Sequence, residues 1–297
     1  MQTPSARPVA VVTGAGTGFG RLTAEALARS GYRTYAAFRD PNGRNAGIAL
    51  QLSEQGLEVL ELDVTSDASV DAAAERVLAE SGRVDVLVNN AGAAYFGLTE
   101  TFTPALVQRQ FDVNVFGPLR VNRAFLPTMR AQRSGLIVYV SSVVGRFVAP
   151  FMGVYAASKH AIEALAETTA YELRPFGVDV TILEPSAFRT SIFDKQVFGD
   201  DESRAAGYGK LAAGPTELAA RLLERAGDPQ EVADAIVGLA QRAPGTRPLR
   251  RIVGDASAAG SMNAVIAPVQ NAILSGLGMD ALAPTIPYEV GELAATR

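Results

Sequence analysis

Short apolar segments and helical patterns alternate along most of this chain of 297 residues. The first apolar segment, residues 9–12, has the composition of a buried strand, and a glycine-rich turn and a helical pattern follow it directly. Such alternation implies right-handed crossovers and a parallel sheet with helices on both faces. We predict a single α/β domain over residues 1–297, with a doubly wound parallel sheet of about seven strands. Strands are predicted at 8–13, 33–38, 57–62, 84–89, 135–141, 178–184 and 249–253, and helices at 19–30, 44–55, 67–81, 103–132, 153–174, 215–226 and 230–242.

Two segments depart from this alternation. Residues 188–214 have the least regular pattern, and we interpret them as a flap over a site at the carboxyl edge of the sheet. Residues 256–297 form a C-terminal extension that fits an amphipathic helix, which either covers the domain or meets a partner. The apolar positions of that helix are Met262, Val265, Ile266, Val269 and Ile273.

Residues 13–20 read TGAGTGFG and lie between the first strand and the first helix. Glycines permit a tight turn and let backbone N–H groups approach a pyrophosphate, which a helix N-terminus also favours. The spacing differs from the commonest dinucleotide fingerprint, and a glycine turn without a phosphate is the alternative interpretation. We assign cofactor contacts here to Gly14, Thr17, Gly18, Phe19 and Gly20.

The second predicted strand ends at Phe38 and leads into Arg39 and Asp40. An acidic residue at this point would bind the ribose 2′-hydroxyl of NAD, whereas an arginine can pair with the 2′-phosphate of NADP. Asp40 has the sequence distance of the fingerprint acid, but it precedes Pro41 and resembles the start of a turn. We therefore predict Arg39 as a cofactor contact and NADP(H), rather than NAD(H), as the cofactor.

Tyr155 and Lys159 are separated by one helical turn, downstream of Ser142. Spacing of i to i+4 places a phenol and an ammonium on the same helix face. Because a neighbouring cation favours the phenolate, we expect the pKa of Tyr155 to be lowered towards neutral pH, where it can exchange a proton with an alcohol or a carbonyl. Alone, the pair is also consistent with an ordinary surface helix.

Three further motifs follow predicted strands or lie within helices: NNAG at 89–92, NVFG at 114–117 and PSAFRT at 185–190. With the glycine turn and the Ser-Tyr-Lys group, they resemble the short-chain dehydrogenase/reductase family, in its shorter branch, over roughly residues 8–255. Ser186 replaces a glycine of the family motif. The segment 38–40 and the long tail are similar to the hydroxysteroid and retinol dehydrogenase-like carbonyl reductases of that family.

The resemblance implies a Rossmann fold, hydride transfer between a nicotinamide and a carbonyl or alcohol carbon, and four catalytic residues. Tyr155 would be the general acid/base, Ser142 would hold the substrate oxygen, Lys159 would assist Tyr155 and bind the ribose, and Asn114 would hold a water linked to Lys159. Ser141 would be an ordinary strand-end serine. The remaining cofactor contacts implied by the resemblance are Asp63, Val64, Asn90, Ala91, Gly92, Pro185 and Thr190. Asp63 alternatively serves only as a helix cap.

Several apolar and aromatic side chains follow the strands at the same edge and predict a pocket for a bulky apolar ketone, aldehyde or secondary alcohol. Packing of several of these aromatics into the core is the alternative. The positions are Ala94, Tyr95, Phe96, Val143, Val144, Phe147, Phe151, Phe188, Ile192 and Phe193.

Composition excludes several chemistries. The chain has no cysteine and one histidine, His160, so it has no thiol nucleophile, no disulfide and no multi-histidine metal site. A net charge of −4 without a basic cluster argues against nucleic acid as a partner. We see no signal peptide and no membrane span, and we expect a cytoplasmic protein.

Two other functions use related sequences. A nucleotide-sugar epimerase or dehydratase also has the Tyr-Lys pair, but usually a different glycine spacing and a larger C-terminal domain. A non-catalytic NADP-sensing protein on the same fold typically lacks the tyrosine or the lysine. The resemblance also implies a homodimer or homotetramer formed by the predicted helices 103–132 and 153–174.

Overall fold

A computed structural model describes residues 7–193 and 195–290. Its main sheet has eight parallel strands in the order β10-β9-β7-β6-β4-β1-β2-β3. The predicted α/β fold with a doubly wound parallel sheet is thereby confirmed. The strands of this sheet are β1 (Val9–Thr13), β2 (Arg33–Phe38), β3 (Glu58–Glu61), β4 (Val86–Asn89), β6 (Gly135–Val140), β7 (Val178–Pro185), β9 (Arg250–Val253) and β10 (Tyr288–Val290).

Helices connect the strands and cover both faces of the sheet. Local chemistry sets several of their ends: Ser66 and Thr103 each accept a hydrogen bond from a backbone N–H of the first helical turn that follows. No helix within residues 7–193 and 195–290 combines the length and apolar character that a membrane crossing needs. The helices are α1 (Gly18–Arg29), α2 (Ala46–Glu54), α3 (Asp67–Ser81), α4 (Pro104–Phe111), α5 (Gly117–Gln132), α6 (Gly153–Leu173), α7 (Glu202–Ala206), α8 (Gly214–Glu224), α9 (Gln230–Gln241) and α10 (Ser257–Gly276).

The sheet separates two hydrophobic cores, and β1 contributes to both. Val9 and Val11 pack into one core with residues of α3, α5 and α6, whereas Ala10 and Val12 pack into the other with residues of α1 and α9. Because successive side chains of a strand point to opposite faces, a strand buried on both faces has no polar alternation. This explains the continuous apolar segments in the sequence.

The predicted helix over 103–132 is interrupted in the structure. A π-helical turn, Asp112–Phe116, joins α4 to α5 and contains Asn114. The wider turn, with its i→i+5 pattern, reorients the following residues relative to an uninterrupted α-helix. A hydrophobic pattern with one period along the segment could not reveal this change.

Three short strands were not predicted. β10 extends the main sheet in parallel to β9, and a separate two-stranded sheet pairs β5 (Tyr95–Phe96) with β8 (Val197–Phe198). β8 and α7 both lie within 188–214, so the segment with the least regular sequence contains defined secondary structure. Through β8, this segment is attached to the loop that follows β4.

The C-terminal extension does form a helix, but the predicted apolar face does not cover the domain. Met262, Val265, Val269 and Ile273 are exposed, and the buried residues of α10 include Asn263 and Leu274. For these four side chains the structure therefore contradicts the first of the two alternatives, an apolar face that covers the domain. The inner face of α10 contains a polar residue because charged groups of the domain meet it there.

Candidate active site

The glycine turn is held in place by the end of β4. Asn90 donates from Nδ2 to the carbonyl oxygen of Thr13 at 2.8 Å and to that of Gly14 at 3.4 Å. The Thr13 hydroxyl accepts hydrogen bonds from the backbone N–H groups of Asn90 and Ala91 at 3.0 and 3.1 Å, and it donates to the Val88 carbonyl. These bonds fix the turn and the segment after β4 relative to each other at the carboxyl edge of the sheet.

Two glycines of the turn are required by geometry. Gly14 has a φ of +67°, a conformation that strains residues with a side chain. At Gly20, an added Cβ would lie 2.4 Å from Nδ2 of Asn90 and 2.4 Å from the carbonyl oxygen of Gly14. Only glycine allows α1 to begin so close to the segment after β4, and the close approach leaves the first helical turn facing the cleft.

A cleft of about 560 Å³ runs along this edge of the sheet. The predicted cofactor residues within its lining are Gly14, Thr17, Gly18, Phe19, Arg39, Asp63, Val64, Asn90, Ala91, Gly92, Tyr155, Lys159 and Thr190. Two predicted contacts lie outside the lining. Gly20 packs against Asn90 instead, and the Pro185 carbonyl accepts a hydrogen bond from the Ser142 hydroxyl at 3.5 Å.

One end of the cleft contains two arginines, Arg39 and Arg44, and Asn45. Asp40 is absent from this lining because its carboxylate is turned into its own loop. It accepts a hydrogen bond from the Arg44 backbone N–H at 3.0 Å and forms an ion pair with the Arg44 side chain at 3.8 Å. The φ of Asp40 is +51°, a value tolerated by aspartate in turns. The segment that follows β2 therefore contributes arginines to the cleft, whereas the carboxylate of Asp40 faces its own turn.

The other end contains Tyr155 and Lys159 on the same face of α6. The Lys159 ammonium lies 5.7 Å from the centre of the Tyr155 ring and donates a hydrogen bond to the Val140 carbonyl at 2.8 Å. Both residues are buried. The Tyr155 ring stacks on Phe96, with ring centres 6.5 Å apart. The phenol thus lies between the polar cleft and an apolar surface.

Burial dominates the ionisation of this pair. It raises the pKa of Tyr155 to about 12, against a smaller lowering by a hydrogen bond from Ser142. Burial also lowers the pKa of Lys159 to about 8, and the charge of Glu163 acts in the opposite direction. The expected lowering of the Tyr155 pKa by Lys159 is therefore wrong for this structure, since desolvation of the buried phenol dominates and raises the pKa. Tyr155 is a protonated phenol at neutral pH.

The two other predicted catalytic residues lie next to this pair. Ser142 lies close enough to Tyr155 to lower its pKa, and its hydroxyl donates to the Pro185 carbonyl at 3.5 Å and accepts from the Val144 backbone N–H at 3.4 Å. Asn114 is buried, and its amide accepts from the Ala93 N–H and donates to the Ala93 carbonyl and to the Ser158 hydroxyl. The structure therefore brings Asn114, Ser142, Tyr155 and Lys159 together around the start of α6.

An apolar cluster adjoins the Tyr155 ring. Four of the predicted pocket residues lie outside it: Tyr95 packs with Phe102 in a separate cluster, Phe188 packs edge-on against Phe19 at 5.7 Å in the core beneath α1, and Phe151 and Phe193 do not belong to it. The cluster beside Tyr155 includes Ala94, Phe96, Val143, Val144, Phe147, Met152, Ile192, Leu218 and Leu222. Leu218 and Leu222 were not predicted, although their spacing along α8 is that of an amphipathic helix.

Further residues of the cleft escaped the sequence analysis. Lys195 donates from Nζ to the Thr17 hydroxyl at 3.2 Å, which brings the flap segment into contact with the glycine turn. Arg44, Asn45, Thr65 and Val113 also line the cleft. Their sequence signal is weak, because each depends on a loop or a helix end whose path is set by the rest of the fold. The chain has only three lysines, and this scarcity is the one sequence feature that draws attention to Lys195.

These observations agree with a family comparison. Residues 8–199 match the sequence model of the family described as short chain dehydrogenase. The chain therefore belongs to the short-chain dehydrogenase/reductase family, and its predicted assignment to an enzyme class acting on CH–OH and C=O groups is confirmed.

Two relatives illustrate the breadth of the similarity. A 3-ketodihydrosphingosine reductase of Bacteroides thetaiotaomicron is 37% identical over 188 residues, which are 63% of this chain and 66% of that protein, just under two thirds of its length. The 17-beta-hydroxysteroid dehydrogenase type 1 of Homo sapiens is 41% identical over 204 residues, which are 66% of this chain and 61% of that protein.

Solved structures cover more of the chain. A short-chain dehydrogenase from Streptomyces avermitilis is 34% identical, with a TM-score of 0.75 over 92% of this chain and 97% of that one. An alcohol dehydrogenase from Thermococcus sibiricus, complexed with 5-hydroxy-NADP, is 32% identical, with a TM-score of 0.67 over 83% of this chain and 96% of that one. The Rossmann-like fold and a nicotinamide cofactor of the NAD(P) class are thereby supported.

The packing of Gly20 generates a prediction. We expect Gly20→Ala to lower the free energy of unfolding by about 1–3 kcal/mol, because the added methyl group overpacks a rigid contact with Asn90. Gly238→Ala in α9 is the matched control, since an added Cβ there meets nothing within 4 Å. The control should stabilise the protein by up to about 1 kcal/mol through helix propensity. Denaturant unfolding measures both, and equal effects would contradict the proposed contact.

Proposed function

We propose that the protein is an NADP(H)-dependent oxidoreductase that interconverts a bulky apolar ketone or aldehyde and the corresponding alcohol. The observation that carries this proposal is the position of Tyr155. Its ring stacks on Phe96 within the apolar cluster, while Tyr155 and Lys159 both line the polar cleft that begins at the glycine turn. A proton donor at this boundary can reach the oxygen of a substrate that binds against the apolar cluster while a cofactor occupies the cleft.

The residues of the cleft fit a dinucleotide. The glycine turn and the start of α1 would present backbone N–H groups to phosphates, and the segment 90–92 lines the cleft beside them. When bound, a nicotinamide supplies or accepts the hydride. Lys159 lies where it can bind ribose hydroxyls, and Asp63 and Val64 line the part of the cleft near Arg39. The protein's own task is to position the two reactants and to transfer a proton.

The protonated phenol of Tyr155 suits the reductive direction. As charge develops on a carbonyl oxygen, Tyr155 donates its proton to that oxygen, and the Ser142 hydroxyl donates a hydrogen bond to it. The phenolate that remains lies on the same helix face as the ammonium of Lys159, which stabilises it. Asn114, whose amide is held by Ala93 and Ser158, would orient a water for return of the proton.

Three observations support NADP(H) over NAD(H). Arg39 and Arg44 line the cleft, the Asp40 carboxylate is engaged within its own turn, and the similar alcohol dehydrogenase from Thermococcus sibiricus is complexed with 5-hydroxy-NADP. A guanidinium matches the geometry and charge of a 2′-phosphate. The 2′-hydroxyl of NAD would find no carboxylate at the Arg39 position.

The apolar cluster supports a bulky apolar substrate. Phe96, Val144, Met152 and the half-buried Phe147 pack beside the phenol and provide hydrocarbon surface. Relatives named for a ketodihydrosphingosine and for a hydroxysteroid are consistent with this chemistry. Segment 188–214 would act as the flap, since Thr190, Ser191, Ile192 and Lys195 line the cleft.

A homodimer or homotetramer is part of the proposal. Phe116, Leu119 and Leu165 have exposed fractions of 48%, 45% and 40% and lie on the two helical segments that the family resemblance assigns to subunit contacts. Such apolar side chains on α5 and α6 would be covered by the same helices of a second subunit. Their exposure supports assembly through these helices.

We expect Tyr155→Phe to reduce turnover of hydrophobic ketones by about 10²–10⁴-fold, because it removes the proton donor but keeps the ring. Absorbance of the reduced nicotinamide measures turnover, and fluorescence titration should show that NADPH still binds. Tyr95→Phe is the matched control, since Tyr95 belongs to the separate cluster with Phe102. Tight NADPH binding by the wild-type protein without turnover of any ketone or aldehyde would instead favour a non-catalytic NADP-sensing protein.

The rate of reduction should depend on pH through Lys159. Its pKa of about 8 means that the ammonium is present below this pH and is lost above it, whereas Tyr155 keeps its proton up to about pH 12. We therefore expect kcat/KM for reduction to fall as the pH rises through about 8. A profile that stays level well above this pH would contradict the role of the ammonium.

Arg39→Asp should weaken binding of NADPH by about ten- to a hundredfold, as expected for loss of a charge-assisted contact, and leave NADH binding nearly unchanged. Fluorescence titration with both nucleotides measures the difference. Arg29→Asp is the control, because Arg29 is an exposed arginine at the end of α1 outside the cleft. Equal weakening of both nucleotides by Arg39→Asp would show that Arg39 does not select the 2′-phosphate.

A further inference from the structure

A buried charge cluster lies beneath the catalytic end of α6. It is formed by charged side chains of α6, β7, β9 and the segment after β6, and it has no part in the chemistry proposed above. Its members are Arg146, Glu163, Glu167, Glu184 and Arg250. Because charged groups are costly to bury, we asked whether this cluster has a function at the adjacent candidate active site.

Glu163 connects this cluster to the active site. It lies one helical turn after Lys159 on α6 and is 2% exposed. One carboxylate oxygen, Oε2, accepts a hydrogen bond from Arg250 Nε at 3.0 Å and lies 3.8 Å from Arg146 Nη1. The other, Oε1, has no hydrogen-bond partner among the described residues.

The unpartnered oxygen is directed towards the segment that follows β6. A Cβ placed on Gly145 would lie 2.9 Å from Glu163 Oε1 and 2.8 Å from the Ser141 hydroxyl. Val140 immediately precedes this segment, and its carbonyl accepts the hydrogen bond from Lys159. The absence of a side chain at Gly145 therefore admits the carboxylate close to the strand end that holds Lys159.

We propose that Glu163 is a positioning residue for Lys159, whose buried carboxylate, held by Arg250 and Arg146, stabilises the ammonium form of that lysine. The benefit to the reaction rests on the proposed function, whereas the coupling between the two side chains does not. The charge of Glu163 opposes the effect of burial on the pKa of Lys159. Because this pair is shielded from water, the attraction is screened less than at a surface.

The charged groups around Glu163 come from four elements, and none but Lys159 belongs to the proposed catalytic group. They are Lys159 and Glu167 on α6, Arg146 after β6, Glu184 on β7 and Arg250 on β9. Burial, and after it the charge of Glu163, raises the pKa of Glu184, whereas Arg250 and Arg146 act to lower it. Among the carboxylates of the cluster, Glu163 has the shortest sequence separation from Lys159.

The C-terminal extension takes part in this arrangement through Asn263 of α10. Asn263 accepts a hydrogen bond from Arg146 Nε at 2.7 Å and donates one to Glu184 Oε2 at 2.7 Å. It is 2% exposed. The extension therefore holds Arg146, which lies beside Glu163, through a hydrogen bond. Packing of α10 against the domain is thus connected to Lys159 through Arg146 and Glu163.

The test uses the small number of lysines. The chain contains Lys159, Lys195 and Lys210, so protein labelled with ¹³Cε-lysine gives few signals, which Lys195→Arg and Lys210→Arg assign. In the wild-type protein the Lys159 signal should titrate with a midpoint near 8. In Glu163→Gln the midpoint should fall by about one pH unit or more, as for loss of a close opposite charge.

Glu167→Gln is the matched control. This variant also removes one negative charge and one partner of Arg250, but the charge lies one helical turn further from Lys159. The Lys159 midpoint in Glu167→Gln should therefore stay close to that of the wild type. Glu163→Asp, which keeps the charge but withdraws it, should give a midpoint between those of wild type and Glu163→Gln. If Glu163→Gln does not fold, the lowering in Glu163→Asp relative to Glu167→Gln decides the question.

An unchanged Lys159 midpoint in folded Glu163→Gln, or an equal shift in Glu167→Gln, would overturn the proposal. The NMR titration requires neither substrate nor turnover, so it remains decisive if no ketone is reduced. Failure of the proposed reductase function would appear as absent turnover in a wild-type protein whose Lys159 midpoint still depends on Glu163. Where turnover is observed, the descending limb of its pH profile should move to lower pH in Glu163→Gln, together with the NMR midpoint.

Discussion

The hydrogen bonds of Asn90 to the glycine turn are the contact on which the rest of the site depends. They join the ends of β1 and β4, two adjacent parallel strands, and they require that no side chain stand at Gly20. The start of α1 and the segment after β4, which both line the cleft, meet at this junction. Parallel sheets place strand ends side by side, and here the ends of β1 and β4 together form a fixed part of the cleft lining.

Most of the fold follows from local patterns in the sequence. Strands buried on both faces have continuous apolar segments, and the helices between them have clear starts, so the order of elements could be predicted. β10 could not, because Tyr288–Val290 has no distinctive pattern and its pairing with β9 is a nonlocal contact. The apolar face predicted for α10 is wrong for a related reason. Asn263 is buried because it forms hydrogen bonds with Arg146 and Glu184, and the hydrophobic periodicity of a helix gives no information about such partners.

The site divides in the same manner. The identities of Ser142, Tyr155, Lys159 and Asn114 could be predicted from motifs, and the structure brings them together. Their ionisation could not, because it depends on burial that only the packed structure supplies: the pKa of Tyr155 rises to about 12. Spacing along a helix indicates which groups are neighbours, whereas the surrounding dielectric decides which of them carries the charge.

The π-helical turn at Asp112–Phe116 has a consequence for how this chain tolerates change. A turn of this type contains more residues than an α-helical turn, so deletion of a single residue there would restore regular winding. Everything amino-terminal to the deletion would then rotate about the helix axis relative to α5, and Asn114 would lose its alignment with Ala93 and Ser158. Residue count, and not only residue identity, is therefore under constraint in this helix.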